Sequence, residues 1–175
     1  DLWGERIDSR IDSGLELYDT NGRLMALDRD TYGRDSFLEF TAPTDGNFLV
    51  KVYDFQYAGG PDFVYRLSIG VMPHIDFVFP PAGVPGTKSP FTLYGRNLPG
   101  STPADGLLLA GRPLEKLTVD LDLPSDADRL ASDSLVSSSG AFLDGMNYRL
   151  STSAGSSNPV VIGYATAPVV TEQEP

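Results

Sequence analysis

The chain has 175 residues, of which 41% are apolar, and it carries a formal net charge of −11, so its length suits one ordinary domain or two small ones. This acidity disfavours nucleic acids and anionic membrane surfaces as partners, because their phosphates repel a negatively charged protein. The chain has no cysteine, which excludes disulfides, thiolate metal sites and cysteine nucleophiles and favours a bacterial secreted protein over an animal one.

The first half of the chain has the pattern of short strands joined by turns. Over 14–19, Leu15 and Leu17 share one face, and this period of two predicts a half-buried strand. The Asn-Gly pair at 21–22 predicts a two-residue hairpin turn of type I′, with the returning strand over 23–27. An acidic loop follows over 28–36, and further strands are predicted over 37–41, 47–54 and 63–69.

The second half continues the same pattern after a predicted linker over 70–74. Strands are predicted over 75–79, 91–94, 107–110, 114–121, 148–151 and 160–164, and a helical turn over 125–135. Nowhere does the sequence have the apolar spacing of a long helix. The predicted fold class is therefore all-β, as two consecutive small β-sandwich modules, the first jelly-roll-like and the second immunoglobulin-like.

Core and turn signatures of the first half occur at 15–19 (LELYD), 40–43 (FTAP), 45–48 (DGNF) and 65–69 (YRLSI). Through them, positions 5–70 resemble the bacterial pre-peptidase C-terminal domain. This resemblance implies a secreted β-sandwich over 1–72 whose N-terminal strands are missing from the chain.

The second half has a different set of signatures, at 75–81 (IDFVFPP), 93–98 (LYGRNL) and 153–158 (SAGSSN). They make 75–168 similar to an IPT/TIG-type immunoglobulin-like domain, with an insertion over about 120–147. The last residues (EQEP) resemble the opening of a further pre-peptidase-type domain, so 169–175 is expected to be a linker. Both resemblances imply a tandem-array secreted bacterial protein.

The acidic loop over 28–36 contains three candidate metal ligands, Asp28, Asp30 and Asp35. Ca²⁺ takes six to eight oxygen ligands, and these carboxylates together with backbone carbonyls would supply them. The alternative is that the aspartates cap turns by accepting backbone N–H groups and keep the rim of a sheet soluble. Calcium is the only cofactor that the sequence suggests.

Aromatic side chains recur around one end of the first module. Tyr53, Phe55 and Tyr57 are the candidate ligand-binding residues, because aromatic faces on a sandwich rim bind glycan or peptide by stacking. The alternative is that they pack in the core or against a neighbouring module.

The sequence predicts no catalytic residues and no enzyme. The one histidine, His74, lies beside Pro73, and a catalytic base needs both a nucleophile and an orienting acid. Asp76 is close to it in sequence, but we assign His74 a linker or packing role. No Gly-x-Ser-x-Gly motif occurs.

The predicted function is that of a non-catalytic structural, adhesive or ligand-binding module pair in a larger extracellular, cell-surface or periplasmic bacterial protein. The alternative is a calcium-stabilised substrate-binding accessory region of a secreted hydrolase. The expected partners are neighbouring domains of the parent chain and a glycan or protein ligand. No apolar run reaches the roughly 20 residues of a membrane span, and the first residues do not resemble a signal peptide, so we expect the export signal upstream.

Overall fold

A computed structural model describes residues 1–109, 111–125 and 144–170 of the chain. These residues form fourteen β-strands and one 3₁₀ turn, Glu5–Ile7, and none of them lies in an α-helix. The predicted all-β, sandwich-like fold is confirmed. In this part of the chain no helix has the length and apolarity to cross a membrane.

The chain divides into two compact units, unit 1 (Asp1–Gly70) and unit 2 (Val71–Pro175). In unit 1, three strands form an antiparallel sheet in the order β3-β2-β4, and two short strands, β1 and β5, pair with each other. The unit 1 strands are β1 (Leu2–Trp3), β2 (Ser13–Tyr18), β3 (Leu24–Arg29), β4 (Leu49–Asp54) and β5 (Arg66–Leu67).

The alternation along β2 decides which face of the unit 1 sheet is buried. Leu15 and Leu17 are 3% and 6% exposed, and Leu15 pairs across the sheet with Val52 of β4. Successive side chains point to opposite faces of a strand, so Glu16 and its partner Lys51 lie on the other, outer face. The outer face therefore carries polar and aromatic side chains.

The turn between β2 and β3 is not the predicted type I′ turn. That turn needs a positive φ at both central residues, and of the Asn-Gly pair only Gly22 has one, at 78°. The N–H of Gly22 donates to the carbonyl oxygen of Asp19, whose carboxylate also accepts the N–H groups of Asn21 and Arg23. The N–H of Asp19 donates to the carbonyl oxygen of Arg23, so these two residues close a loop of three residues, 20–22, that ends on the left-handed glycine.

Two predicted strands of unit 1 differ in the structure. No strand forms over 37–41, and at its first residue the N–H of Phe37 donates to the Asp28 carboxylate at 2.8 Å. The strand predicted over 63–69 shortens to β5, since its partner β1 offers only two residues for pairing.

Unit 2 contains a four-stranded sheet, a three-stranded sheet and a short hairpin. The first sheet has the order β6-β8-β10-β9, the second has the order β11-β14-β7, and β12 pairs with β13. The strands are β6 (His74–Phe79), β7 (Ala82–Gly83), β8 (Lys88–Arg96), β9 (Thr102–Leu109), β10 (Arg112–Asp122), β11 (Gly145–Tyr148), β12 (Ser151–Thr152), β13 (Gly155–Ser156) and β14 (Val160–Tyr164).

The outcomes for the predicted elements of unit 2 vary. β14 has the predicted bounds, and β8 and β10 extend beyond theirs. The predicted helical turn over 125–135, most of the insertion over 120–147 and the segment 172–175 lie outside the described residues.

The core of unit 2 is built from side chains of β6, β8 and β14 and of the segments that directly follow β8 and β10. Phe91 and Leu93 of β8 are both 0% exposed, and they lie at its centre because they alternate with outward residues. The buried core cluster is Ile75, Val78, Phe91, Leu93, Leu98, Leu123 and Ile162.

A β-bulge in β6 decides which of its aromatic residues face solvent. Ile75 pairs with Gly95 but Phe77 pairs with Tyr94, the next residue of β8, so Asp76 has no opposite residue. Such an extra residue shifts the alternation by one. Ile75 and Val78 are therefore buried, whereas Phe77 is 42% exposed and stacks on Tyr94 with ring centroids 4.6 Å apart.

The side chain of Asn158 takes the place of a neighbouring strand beside Ile75. Its Oδ1 accepts the N–H of Ile75 and its Nδ2 donates to the carbonyl oxygen of Ile75, both at 2.8 Å. We expect Asn158→Ala to destabilise unit 2 by about 1–3 kcal/mol, because two backbone groups lose their partner. Hydrogen exchange at the Ile75 amide measures the effect, and Asn47→Ala, an exposed position in unit 1, should leave that exchange unchanged.

Candidate functional site

The outer face of the unit 1 sheet carries a group of aromatic and cationic side chains. Arg29 of β3 and Tyr53 of β4 both pair with Gly14 of β2, so all three lie on this face. Phe55 and Tyr57 come directly after β4 and are 52% and 77% exposed. We call the following set the aromatic–cationic face: Arg29, Lys51, Tyr53, Phe55 and Tyr57.

Gly14 lets the Tyr53 ring cross the central strand. A Cβ atom at position 14 would lie 2.5 Å from the Cζ of Tyr53, so the ring occupies the space where a side chain would stand. The Tyr53 hydroxyl oxygen thereby reaches Arg29 on the far strand and accepts hydrogen bonds from its Nε at 2.9 Å and its Nη2 at 2.5 Å. These bonds raise the pKa of the Arg29 guanidinium.

The three aromatic residues selected from the sequence are connected in the structure. Tyr53 and Tyr57 stack with centroids 5.7 Å apart and an interplanar angle of 19°. The Arg29 guanidinium carbon lies 5.5 Å from the Tyr53 centroid and 5.2 Å from the Phe55 centroid. Lys51 Nζ lies 4.6 Å from the Tyr53 centroid, within the range in which a cation is attracted to a ring face.

Glu16 compensates one of the two cations. Its Oε2 accepts hydrogen bonds from the Tyr18 hydroxyl and from Lys51 Nζ, and these bonds, that of Tyr18 most of all, lower the pKa of Glu16 to about 2. Glu16 is therefore an anion that pairs with Lys51. Among the described residues, the carboxylates that form ion pairs do so with cations other than Arg29.

Tyr57 is held in an unusual backbone conformation. Its φ is 56°, in the left-handed region that costs an L-residue roughly 1–2 kcal/mol. Asp54 stabilises this conformation, because its Oδ1 accepts the N–H groups of Gln56 and Ala58, each at 3.0 Å, and its carbonyl oxygen accepts the N–H of Tyr57. An outlier of this kind, at an exposed aromatic residue, is typical of functional sites.

A single substitution tests the arrangement of the rings. In Gly14→Ala the new Cβ displaces the Tyr53 ring from β2, and we expect Tyr53 to lose its contacts with Arg29 and Tyr57. The loss of these contacts should destabilise unit 1 by about 1 kcal/mol, since each stacked or cationic contact contributes on that order. The ring-current shifts of Tyr57 in an NMR spectrum report the loss, and Gly46→Ala, which meets no atom within 4 Å, is the matched control.

Asp35, a predicted metal ligand, is entirely buried and fully engaged with the N-terminal turn. Its Oδ1 accepts the N–H groups of Gly4 at 2.6 Å and Glu5 at 2.7 Å. Its Oδ2 accepts Arg6 Nε at 2.6 Å and the Arg6 backbone N–H at 3.2 Å. The carboxylate is thus the centre of a hydrogen-bond network that fixes residues 4–6.

The other two predicted ligands belong to separate networks. Asp28 accepts hydrogen bonds from the Thr31 hydroxyl and the Phe37 N–H. Asp30, in the left-handed region at φ 59°, lies beside Asp12. Burial and the charge and hydrogen bond of Asp30 raise the pKa of the Asp12 carboxyl.

Calcium binding at these aspartates stays a prediction. In the part of the chain that the structure describes, no three His, Cys, Asp or Glu side chains form a group that could hold a metal ion. A specific Ca²⁺ site would raise the melting temperature as the Ca²⁺ concentration increases, and Mg²⁺ would do much less. An unchanged melting temperature would contradict the calcium prediction.

His74 lies in a buried charge cluster of unit 2. Its Nε2 is 3.6 Å from Asp76 Oδ1, which is 3.4 Å from Arg96 Nη1. The three side chains are only 8–13% exposed, so a substrate has little access to them. The cluster ties β6 to β8 at the end of the sheet where His74 pairs with Arg96.

The sequence-based selection included the aromatic residues of the face but not the residues that arrange them. Gly14, Arg29, Lys51 and Asp54 were not selected, although strand alternation over 14–19 and 47–54 would have placed Gly14, Lys51 and Tyr53 on the outer side. Arg29 depends on a register shift in β3: Tyr18 pairs with Leu24 but Leu17 pairs with Ala26, so that Arg29 and not Asp28 lies opposite Gly14.

Comparisons of this chain with protein-family models, with curated proteins and with solved structures find no match. A functional proposal for this chain therefore depends on the geometry of the chain's own side chains.

Proposed function

We propose that the chain is a non-catalytic binding region of a larger extracellular, cell-surface or periplasmic bacterial protein. In this proposal unit 1 is a pre-peptidase C-terminal-like sandwich, unit 2 is an IPT/TIG-like domain, and the aromatic–cationic face is the contact surface of unit 1. The observation that carries the proposal is the exposed Tyr57 ring, which stacks on Tyr53 beside the Arg29 guanidinium.

The chemistry of the face supports a binding role. Tyrosine and arginine are enriched among residues that contribute most to binding energy, because each combines a large apolar area with hydrogen-bonding groups. Here Tyr57 is 77% exposed although the fold keeps it in a costly backbone conformation. An exposed ring in such a conformation adds little to the core of the unit, which favours a role in contact with a partner.

The burial of His74 supports the non-catalytic part of the proposal. A general base has to reach the proton that it removes within hydrogen-bond distance. The His74 side chain is 10% exposed and lies against Asp76, an arrangement that favours structural stabilisation.

Binding by the full chain to arrays of purified glycans and purified extracellular proteins tests the proposal. We expect at least one array member to bind, and Tyr57→Ala to weaken that binding. Tyr65→Ala is the matched control, because Tyr65 is a 50% exposed tyrosine of unit 1 outside the set. Binding that both variants retain in full would exclude the aromatic–cationic face as the contact surface.

A further inference from the structure

We propose that the aromatic–cationic face binds a saccharide that carries single, well-separated carboxylates, such as uronic acid or sialic acid residues. This inference rests on the proposed function and names the ligand class of the same site. Two features of the face carry it: an open aromatic ring and, beside it, an arginine without a carboxylate partner among the described residues.

Tyr57 provides a platform for a sugar ring. One face of its ring is covered by Tyr53, at an interplanar angle of 19°, and the 77% exposure of the residue leaves the other face open. The face of an aromatic ring is electron-rich, and a pyranose presents positively polarised C–H groups on its flat side. Stacking of the pyranose on Tyr57 leaves its equatorial substituents free to reach neighbouring polar groups.

Arg29 provides the donors for a carboxylate. A guanidinium has five N–H donors, and Tyr53 accepts one from Nε and one from Nη2. Three donors, both on Nη1 and the second on Nη2, are left for another group. Because the Tyr53 hydroxyl is neutral, the positive charge of Arg29 is held in place without being cancelled. Arginine binds carboxylates through paired N–H groups, with geometry that a neutral hydroxyl does not match.

The charge of the chain limits how many carboxylates the ligand carries. Glu16 neutralises Lys51, so the face keeps about one uncompensated positive charge, that of Arg29, on a chain of net charge −11. At physiological ionic strength charges interact over about 8 Å. A single ligand carboxylate bound to Arg29 therefore interacts mainly with the Arg29 guanidinium. A polyanion such as heparin extends beyond this distance, and its other anionic groups are repelled by the negative charge of the rest of the chain.

An open ring beside one cation suits a saccharide better than an acidic peptide. Acidic peptide motifs are recognised by several arginines clustered together. The aromatic–cationic face instead offers one exposed ring plane and one set of N–H donors side by side, which matches a single acidic sugar residue.

The experiment compares pairs of saccharides that differ only in the carboxylate, on the full chain, by calorimetry or NMR titration. The probes are 3′-sialyllactose and a hyaluronan tetrasaccharide, each paired with its own carboxyl-reduced neutral form. We expect at least one acidic probe to bind about 10-fold more tightly than its neutral counterpart, the difference that one charge-assisted contact gives. Tyr57→Ala should weaken its binding about 10-fold, and Arg29→Gln should abolish the preference for the acidic form.

The control variants are Tyr65→Ala and Arg23→Gln, which remove an exposed tyrosine and an exposed arginine elsewhere in unit 1 and should change neither affinity nor preference. Equal affinity for acidic and neutral probes overturns the inference but leaves the proposed function standing if Tyr57→Ala still weakens binding. Absence of binding by all four probes at millimolar concentration, or tighter binding of heparin or of a polyglutamate peptide, also overturns the inference. A different result refutes the proposed function: no glycan or protein on the arrays binds to the chain through this face.

Discussion

Replacing Asp35 with alanine is expected to destabilise unit 1 by about 3–5 kcal/mol, the cost of removing one partner from a buried ion pair. The carboxylate is 0% exposed and accepts hydrogen bonds from the amides of Gly4 and Glu5 and from both the amide and the side chain of Arg6. In its absence the Arg6 guanidinium, 17% exposed, keeps its charge in a partly buried place. A unit of this size has roughly 4–10 kcal/mol of total stability, so the loss is a large share of it.

Urea denaturation followed by tryptophan fluorescence measures this effect on unit 1 alone. Trp3 is the single tryptophan of the chain and is 4% exposed. Asp45→Ala, at an exposed aspartate, is the matched control and should change stability by less than about 0.5 kcal/mol. If Asp35→Ala fails to fold, Asp35→Asn keeps the shape and one acceptor oxygen, and it should show an intermediate loss. If Asp35→Asn unfolded at the same urea concentration as the wild-type chain, the negative charge of Asp35 would not be what stabilises unit 1.

The pKa of the Asp35 carboxyl predicts how the stability of unit 1 changes with pH. Burial by itself would raise the pKa of Asp35, but the hydrogen bonds from the Arg6 side chain and from the amides of residues 4–6 outweigh it and hold the pKa below the ordinary value of 3.8. The folded state therefore binds a proton less readily than the unfolded state, and its stabilising contribution is complete above about pH 4–5. We expect that contribution to be lost as the pH falls from there through the folded-state pKa, and Asp35→Asn to show a weaker dependence over that range.

The second large effect is expected in the core of unit 2. Phe91→Ala should destabilise unit 2 by about 3–5 kcal/mol, because it removes a fully buried ring and leaves a cavity that the neighbours fill only in part. Phe91 is 0% exposed, and its ring lies so close to Gly83 that a Cβ atom there would be 2.9 Å from its Cζ. The ring thus fills the space between β8 and the short strand β7.

Hydrogen exchange with mass spectrometry resolves this effect by unit. Peptides from β8 and β10 should lose protection in Phe91→Ala, because these strands pair along eight residues. The matched control is Phe79→Ala, which removes the same side chain from a position that is 48% exposed and should have a small effect. Equal losses in the two variants would mean that the β8 ring is not the centre of the core.

The strands with strict alternation could be predicted from the sequence, and so could the all-β class. Leu15 and Leu17 are buried as the period of two requires, and β14 has the bounds expected from its apolar run. These features are local, because the pleat of one strand and the burial of its apolar face depend on residues two positions apart. The grouping of Tyr53, Phe55 and Tyr57 could also be proposed, since they are neighbours in sequence.

The tertiary structure decided the features that depend on residues far apart in the chain. The bulge at Asp76 reverses the face on which Phe77 lies. The extra residue Met25 in β3 brings Arg29, and not Asp28, opposite Gly14 and within reach of the Tyr53 hydroxyl. Asp35 accepts hydrogen bonds from the amides of residues 4–6 and from the Arg6 side chain, because a side chain binds whichever partner the folded backbone brings within hydrogen-bond distance. The sequence by itself determined which segments become strands and which side chains are suited to bind, and the register between distant strands decided which of them meet.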